Sequence, residues 1–328
     1  MPNGTRPSNN MYAGAVIQPE STPRRILIVR LGAMGDIIHT LPAASALALT
    51  FPLAEIVWAI DPKWAILLEA NPLVQRVIPF NRRDWAGLRQ TFRQLRSTPF
   101  DFAVDFQGLI KSALLATAAR PEKIYGFTRG EARETPATWC YSSLATTTSK
   151  HIVDKNLELA ALAGARPKTP QFPLPPGSPE GELPTGPFVL ANPLAGWASK
   201  QWPLEYYSKL AAMLDMPLVL NGAPSIEAEL RHVKGAYIHL SGLGGLIDAT
   251  RRAAFVVGVD SGPLHLAAAI GKPGVAIFGP TDPARNGPYG DTITMLRAPN
   301  AETTYKRGTT IAASMRAITP KMVRDRLN

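Results

Sequence analysis

The sequence holds a single cysteine, Cys140, among 328 residues. One thiol excludes an intramolecular disulfide and any Cys-rich zinc site, and it suits a reducing compartment. Acidic residues are also short: 25 Asp and Glu face 35 Lys and Arg, a formal charge of +10. No clean apolar run of about 20 residues is present, so no membrane-spanning helix is expected. Residues 41–60 are broken by Pro42, Pro52 and Glu55, and residues 255–278 by Asp260, Pro263, His265, Lys272 and Pro273. The first 23 residues lack the basic and apolar regions of a signal peptide and read as a disordered tail. The GxGxxG and Walker A fingerprints are missing, which removes the main support for an NAD or P-loop reading. RNP-type aromatics and zinc-finger spacing are missing too, so only the basic charge speaks for nucleic acid.

What is present is ordinary for a globular protein. Hydrophobic residues make up 45% and charged residues 18%, which excludes a chain disordered throughout. At roughly 100–200 residues per domain the length predicts two domains. Residues 1–150 carry 17 basic and 11 acidic side chains, so the basic excess is slightly larger in the first half. Such a surface suits nucleic acid, membrane headgroups or a phosphorylated substrate, and equally a soluble protein with no anionic partner.

Short apolar runs alternate with helical patterns. In the first half strands are predicted at 25–30, 55–60, 76–80 and 101–105, and helices at 36–50, 62–70, 84–97 and 111–119. In the helix over 84–97, Trp85, Leu88, Phe92 and Leu95 recur at helical spacing and are expected to face the core. Residues 166–187 contain eight prolines and form a linker. The alternation then restarts, with strands at 188–191, 217–221, 236–240, 255–259 and 274–278. This is the pattern of two α/β, doubly wound, Rossmann-like halves over 24–165 and 188–310. A C-terminal helix over 311–328 is expected to pack back on the first half.

Ligands of open parallel sheets sit at the carboxyl ends of the strands. The loop 31–35 follows the first strand, with Gly32 and Gly35 permitting close backbone approach. Asp36 opens the next helix. It reads either as a cap of that helix or as a carboxylate aimed into the cleft as general base. A cap position lowers an acid's pKa and so opposes the second role. Asp260-Ser261-Gly262-Pro263-Leu264-His265 follows another apolar strand. Backbone N–H groups of Ser261, Gly262 and Leu264 at a helix start make an anion site, suited to a pyrophosphate. Asp260 beside such a site reads as a cap or as a ligand for hydroxyls. Lys200, in the loop 192–203, reads as a lone surface lysine or as a neutraliser of a leaving phosphate. Arg82 and Arg83 follow a strand and suit a carboxylate or phosphate. Trp202 reads as a packing residue.

These residues fall into six ordered motifs: residues 30–42 (RLGAMGDIIHTLP), 105–112 (DFQGLIKS), 132–134 (ARE), 199–203 (SKQWP), 259–265 (VDSGPLH) and 278–283 (FGPTDP). Together they resemble the ADP-heptose:lipopolysaccharide heptosyltransferases, most closely the heptosyltransferase I branch. The resemblance runs from about residue 24 to the end. It implies a GT-B fold, an ADP-heptose donor, inversion at the anomeric carbon, and a Kdo residue on lipid A as acceptor. It makes Asp36 the general base and places Lys200 on the donor phosphates. Asp260 is assigned to heptose hydroxyls; Ser261, Gly262 and His265 belong to the phosphate loop, with the Leu264 amide beside them as a donor contact. Gly196 is a backbone donor contact, because the family's usual Thr pair is replaced by Ala195 and Gly196. Gly35, Arg82, Arg83, Gln107 and Lys111 are acceptor contacts. The family's nucleoside-contacting glutamate falls on Ile226, which leaves Glu227 or Glu229 as candidates, Glu227 the nearer. No metal and no cofactor are implied, and nucleic acid is not an expected partner. A cytoplasmic monomer touching the inner membrane surface is expected. The alternatives are a GT-B transferase with another donor or acceptor, or a non-catalytic binder of sugar nucleotides or nucleic acid.

Overall fold

The computed structural model describes residues 22–82, 84–166 and 168–327. Most of the expected tail, and Arg83, lie outside the described residues.

Apolar β-rich runs build two six-stranded, wholly parallel sheets. The first contains β1 (Arg25–Val29), β2 (Glu55–Ile60), β3 (Arg76–Pro79), β4 (Phe102–Asp105), β5 (Lys123–Phe127) and β6 (Ser143–Ala145). The second contains β7 (Val189–Asn192), β8 (Leu218–Gly222), β9 (Tyr237–Leu240), β10 (Phe255–Val259), β11 (Gly274–Phe278) and β12 (Ile293–Arg297). The orders are β3-β2-β1-β4-β5-β6 and β12-β11-β10-β7-β8-β9. Counted within each half, both read 3-2-1-4-5-6. Each sheet therefore has one switch point where strand order reverses, between β1 and β4 and between β7 and β10. There the carboxyl ends leave a crevice. Strands at the centre are covered on both faces: Ile26, Leu27, Ile28 and Val29 are fully buried.

One face of the first sheet is covered by α1 (Met34–Ile38), α2 (Leu41–Thr50) and α5 (Ile152–Leu162). The expected single helix over 36–50 is thus two, because Pro42 lacks an N–H and fits only the first turn of a new helix. Residues 62–68 form a 3₁₀ helix. The other face is covered by α3 (Trp85–Arg96), α4 (Ile110–Ala118) and a 3₁₀ turn at Thr135–Cys140. Leu95 lies in the core beneath α3, but Trp85 is 81% exposed, contrary to its helical spacing. It sits in the first turn of α3, beyond the apolar patch that the rest of the helix covers.

The Pro-rich segment forms no helix or strand among its described residues. It is a strap held by both halves. Asn71 Nδ2 donates to Pro173 O (2.9 Å), and Arg251 Nη2 to Leu174 O (2.9 Å). Glu180 accepts the amides of Gly242 (2.6 Å) and Gly245 (2.9 Å) at the start of α8 (Leu243–Arg252), which follows α6 (Leu204–Ala211) and α7 (Glu227–Leu230). Gly177 has φ +83°, and a Cβ there would lie 2.5 Å from Asp248 N, so the strap passes α8 too closely for any side chain.

The C-terminal residues correct the expectation made for them. The short helices Ala313–Arg316 and Pro320–Arg324 pack on the second half, not the first. Met315, Ile318 and Val323 fill the apolar surface around Trp202 and Tyr207, and Trp202 Nε1 donates to Ile318 O (2.8 Å). Trp202 is buried, as a packing residue should be.

The halves meet at α1 and α9 (Gly262–Ile270). Glycines make this contact possible. A Cβ on Gly35 would lie 2.5 Å from His265 Cδ2, and one on Gly262 would lie 2.8 Å from Met34 Sδ.

Candidate active site at the paired switch points

At the first switch point, Arg30 follows β1 and is buried. One of its terminal nitrogens donates to Phe106 O, and Nη2 lies 2.8 Å from Asp36 Oδ1. Asp36 is the third residue of α1, not its cap. Its Oδ2 accepts the Ala33 amide (3.1 Å), so it closes the helix start from inside. Arg133 Nη2 then reaches both carboxylate oxygens at 2.9 Å. Burial pushes the Asp36 carboxyl up, but the guanidinium groups of Arg30 and Arg133 outweigh it and hold it below its ordinary value. Asp36 thus closes the start of α1 from its third position, ionised and clasped by two arginines.

Beside it, Asp105 is fully buried. It accepts from Gln107 N (2.8 Å), Gly108 N (3.2 Å), Ser112 Oγ (2.8 Å) and Tyr141 Oη (2.7 Å). Burial raises its pKa despite these donors. Asp105 thus organises the β4–α4 loop. That loop in turn presents Gln107 Oε1 to Leu31 N (2.9 Å) and Gly32 N (3.4 Å). The Gln107 carbonyl oxygen, expected on the acceptor, is spent on holding the first loop. Gly35 lies under His265, whose ring occupies the space a Cβ there would need. Lys111 is exposed on α4, and Arg82 is exposed after β3.

At the second switch point, Asp260 follows β10. Lys200 Nζ lies 2.6 Å from its Oδ2, Thr281 Oγ1 donates to the same oxygen (2.7 Å), and His265 Nε2 lies 3.7 Å from Oδ1. Burial pushes this carboxyl up, but His265 and Lys200 outweigh it and hold it far below the usual carboxylate range. Asp260 is not the helix cap; Ser261 occupies that position, and Ser261 Oγ is buried without a hydrogen-bond partner. Lys200 also stands 4.3 Å from the Trp197 ring centroid. Leu264 departs from expectation: its amide donates to Ser261 O (3.2 Å) and its side chain lies in the core. Gly196 faces open space. Ile226 packs over Gly222 at the end of β8, while Glu227 pairs with Arg231 at 2.5 Å.

Sequence reasoning missed the groups that join the two carboxylate sites. His39 is buried and packs edge-on to His265 (centroids 4.3 Å), with His151 5.7 Å away. Neither ring nitrogen of His39 has a partner. Burial and the neighbouring His265, His151 and Arg30 push its pKa well below the ordinary value. Two hydrogen bonds flank it across the seam: His151 Nε2 to Gly287 O (3.1 Å) and Tyr289 Oη to Asp154 Oδ1 (2.7 Å). Arg30, His39 and Arg133 all lie within the motifs quoted above, but only folding shows what they face.

Two carboxylates thus face one seam, each at the switch point of its own sheet. The family model described as glycosyltransferase family 9 (heptosyltransferase) matches residues 88–314. The chain belongs to glycosyltransferase family 9. It is 30% identical over 309 residues to lipopolysaccharide heptosyltransferase 1 of Escherichia coli strain K12, covering 84% of this chain and 94% of that protein. It is also 30% identical over 295 residues to lipopolysaccharide heptosyltransferase 1 of Pseudomonas aeruginosa, covering 81% of each. The solved structure of E. coli heptosyltransferase WaaC with ADP-2-deoxy-2-fluoro heptose superposes with a TM-score of 0.74 at 27% identity, over 92% of this chain and 98% of that one. The fold of this family 9 member is GT-B, and the protein is a glycosyltransferase.

Proposed function

We propose that the protein moves heptose from ADP-heptose to a Kdo residue of lipid A, with inversion at the anomeric carbon. The observation that carries this reading is the pair Asp36 and Asp260, brought to one seam by the contact of α1 with α9. The likeness to heptosyltransferase 1 relatives supports the donor and the lipopolysaccharide acceptor.

The second half would hold the donor. Its pyrophosphate meets the start of α9 at Ser261 and Gly262, where amides and helix dipole favour an anion. Heptose hydroxyls donate to Asp260, which draws that carboxylate from Lys200 and leaves the ammonium for the phosphates. The first half would hold the acceptor among Arg82, Arg83, Lys111 and Arg133. An anionic acceptor competes for Arg133, the more exposed of the two arginines on Asp36 (44% against 1%). Its departure raises the Asp36 pKa toward a useful base. The acceptor oxygen then attacks the anomeric carbon from behind as the bond to the β-phosphate breaks. Asp36 takes the hydroxyl proton, and Lys200 with the helix start stabilises the charge on departing ADP.

The acceptor is lipid-linked, so the reaction belongs at the cytoplasmic face of the inner membrane. The contact in this reading is peripheral; no helix among the described residues is long and apolar enough to cross the membrane. One observation favours a second reading: Ile226 presents an apolar surface where a carboxylate is expected, which suits a different nucleotide on the donor.

ADP release from ADP-heptose with Kdo-bearing lipid A, for wild type and Asp36→Ala, tests the proposal. Acceptor-dependent release lost in the variant is the expected result. Undiminished release in the variant removes Asp36 as base. No release from either, with ADP-heptose still raising the melting temperature, moves the acceptor elsewhere. Competition by UDP or GDP stronger than by ADP establishes the second reading.

A further inference from the structure

We infer that the outer surface of the α3–α4 layer docks the protein on an anionic lipid bilayer. The peripheral contact belongs to the function proposed above; which surface makes it, and how, is read from the fold.

On α3, Trp85, Arg89, Arg93 and Arg96 follow one another at positions i, i+4, i+8 and i+11, a single stripe, and all are exposed. No Asp or Glu occurs in α3 or α4. Among the described residues no carboxylate pairs with Arg89, Arg93 or Lys111. The acidic neighbours are engaged: Asp84 accepts Gly87 N (2.6 Å) and Glu134 accepts Ile110 N (2.7 Å). Arg96 Nε donates to Ala118 O (3.2 Å), which ties the end of α3 to the end of α4.

The same surface is apolar where it is not basic. Ile110 and Leu114 lie one turn apart on the outer side of α4 and are 43% and 57% exposed. Trp139, on the turn packed against α4, is 75% exposed. Exposed tryptophan between arginines is the composition that settles at the headgroup boundary. Aliphatic side chains favour lipid over nucleic acid, because hydrocarbon buries them and phosphates do not. Position adds to composition. Ile110 is bonded to Glu134, the neighbour of Arg133, so the apolar surface begins at the rim of the Asp36 cluster. An acceptor sugar standing on its lipid would meet the site without leaving the bilayer.

Co-sedimentation of the full chain with vesicles of phosphatidylethanolamine and phosphatidylglycerol tests this, with pure phosphatidylcholine as control. Wild type is expected in the pellet with anionic vesicles only, and released by salt. Arg89→Gln with Arg93→Gln should lower partitioning about thirtyfold, at the usual contribution of a basic residue near an anionic surface. Leu114→Ser with Trp139→Ser should lower it too. Both variants should keep ADP release with a deacylated, water-soluble acceptor and lose it with the acylated form of that acceptor embedded in vesicles. Wild type left in the supernatant at low salt, or variants that sediment as wild type does, would overturn the inference. Tight binding of duplex DNA, indifferent to Leu114→Ser and Trp139→Ser, would overturn it in favour of nucleic acid. Vesicle binding without transfer to any acceptor sinks the proposed reaction and supports this surface; transfer to soluble acceptor without vesicle binding does the reverse.

Discussion

Asp36 and Asp260 occupy the same place in two sheets of identical strand order, yet they are held differently. Asp36 lies inside a helix turn, between a buried arginine and an exposed one. Asp260 stands before its helix and is fixed by Lys200, Thr281 and His265. Both are ionised. What differs is how each could be released. Arg133 reaches Asp36 from 97 residues away through one nitrogen, so a soluble competitor can displace it while Arg30 stays. Asp260 has no comparably exposed partner; only a ligand that replaces several hydrogen bonds at once can take its place. A carboxylate with a removable cation suits a base. A carboxylate with buried partners suits a hydroxyl-binding post. Topology supplies the positions, and the partners set how readily each carboxylate is released.

The greatest expected effect is that of Asp36→Ala, which should lower kcat about 10²–10⁴-fold, the usual cost of losing a positioned base. Asp260→Asn should act mainly on the donor, raising its KM about 10- to 100-fold with a smaller change in kcat. If both variants lost kcat equally, with KM unchanged, the contrast between the two carboxylates would collapse. Arg133→Gln sharpens it. Arg133 lowers the Asp36 pKa, so its removal should move the acid limb of the kcat/KM profile to higher pH. An unmoved limb would mean that the clasp does not reach the reacting state.

The smallest expected effect concerns the seam between the two sites. His39 faces His265 and His151, with Arg30 behind it and Asp260 and Asp154 beside those neighbours. Its pKa is depressed in the folded protein, so unfolding between the depressed value and the ordinary one takes up a proton. The stability it supports is present above its ordinary value of 6.5 and is lost as pH falls from there toward the depressed value. Melting temperature should fall below pH 6.5 in wild type and less steeply in His39→Gln. Equal slopes would place the acid sensitivity elsewhere.

Most of this arrangement is legible in the amino-acid sequence, because loops after buried parallel strands lie at the carboxyl edge by construction. Asp36, Lys200 and Asp260 all come from such loops. The edge strands are harder. β6 is three residues among serines and threonines, and β12 alternates polar and apolar in a way that a loop also can. Trp85 misleads because helical spacing reports a face, not how far along the helix the core extends. The Arg133 clasp and the three-histidine seam are long-range, and no local pattern contains them. Gln107 lies in a recognisable motif, but the motif does not say that its oxygen faces a backbone loop.

The strap has a consequence for anyone recombining such enzymes. Glu180 supplies the carboxylate for the first turn of α8, although it stands before the first strand of the second sheet. A chimera that exchanged second halves at residue 188 would leave those amides to a foreign sequence. The exchangeable module therefore begins upstream of Gly177, and grafted halves should be cut there.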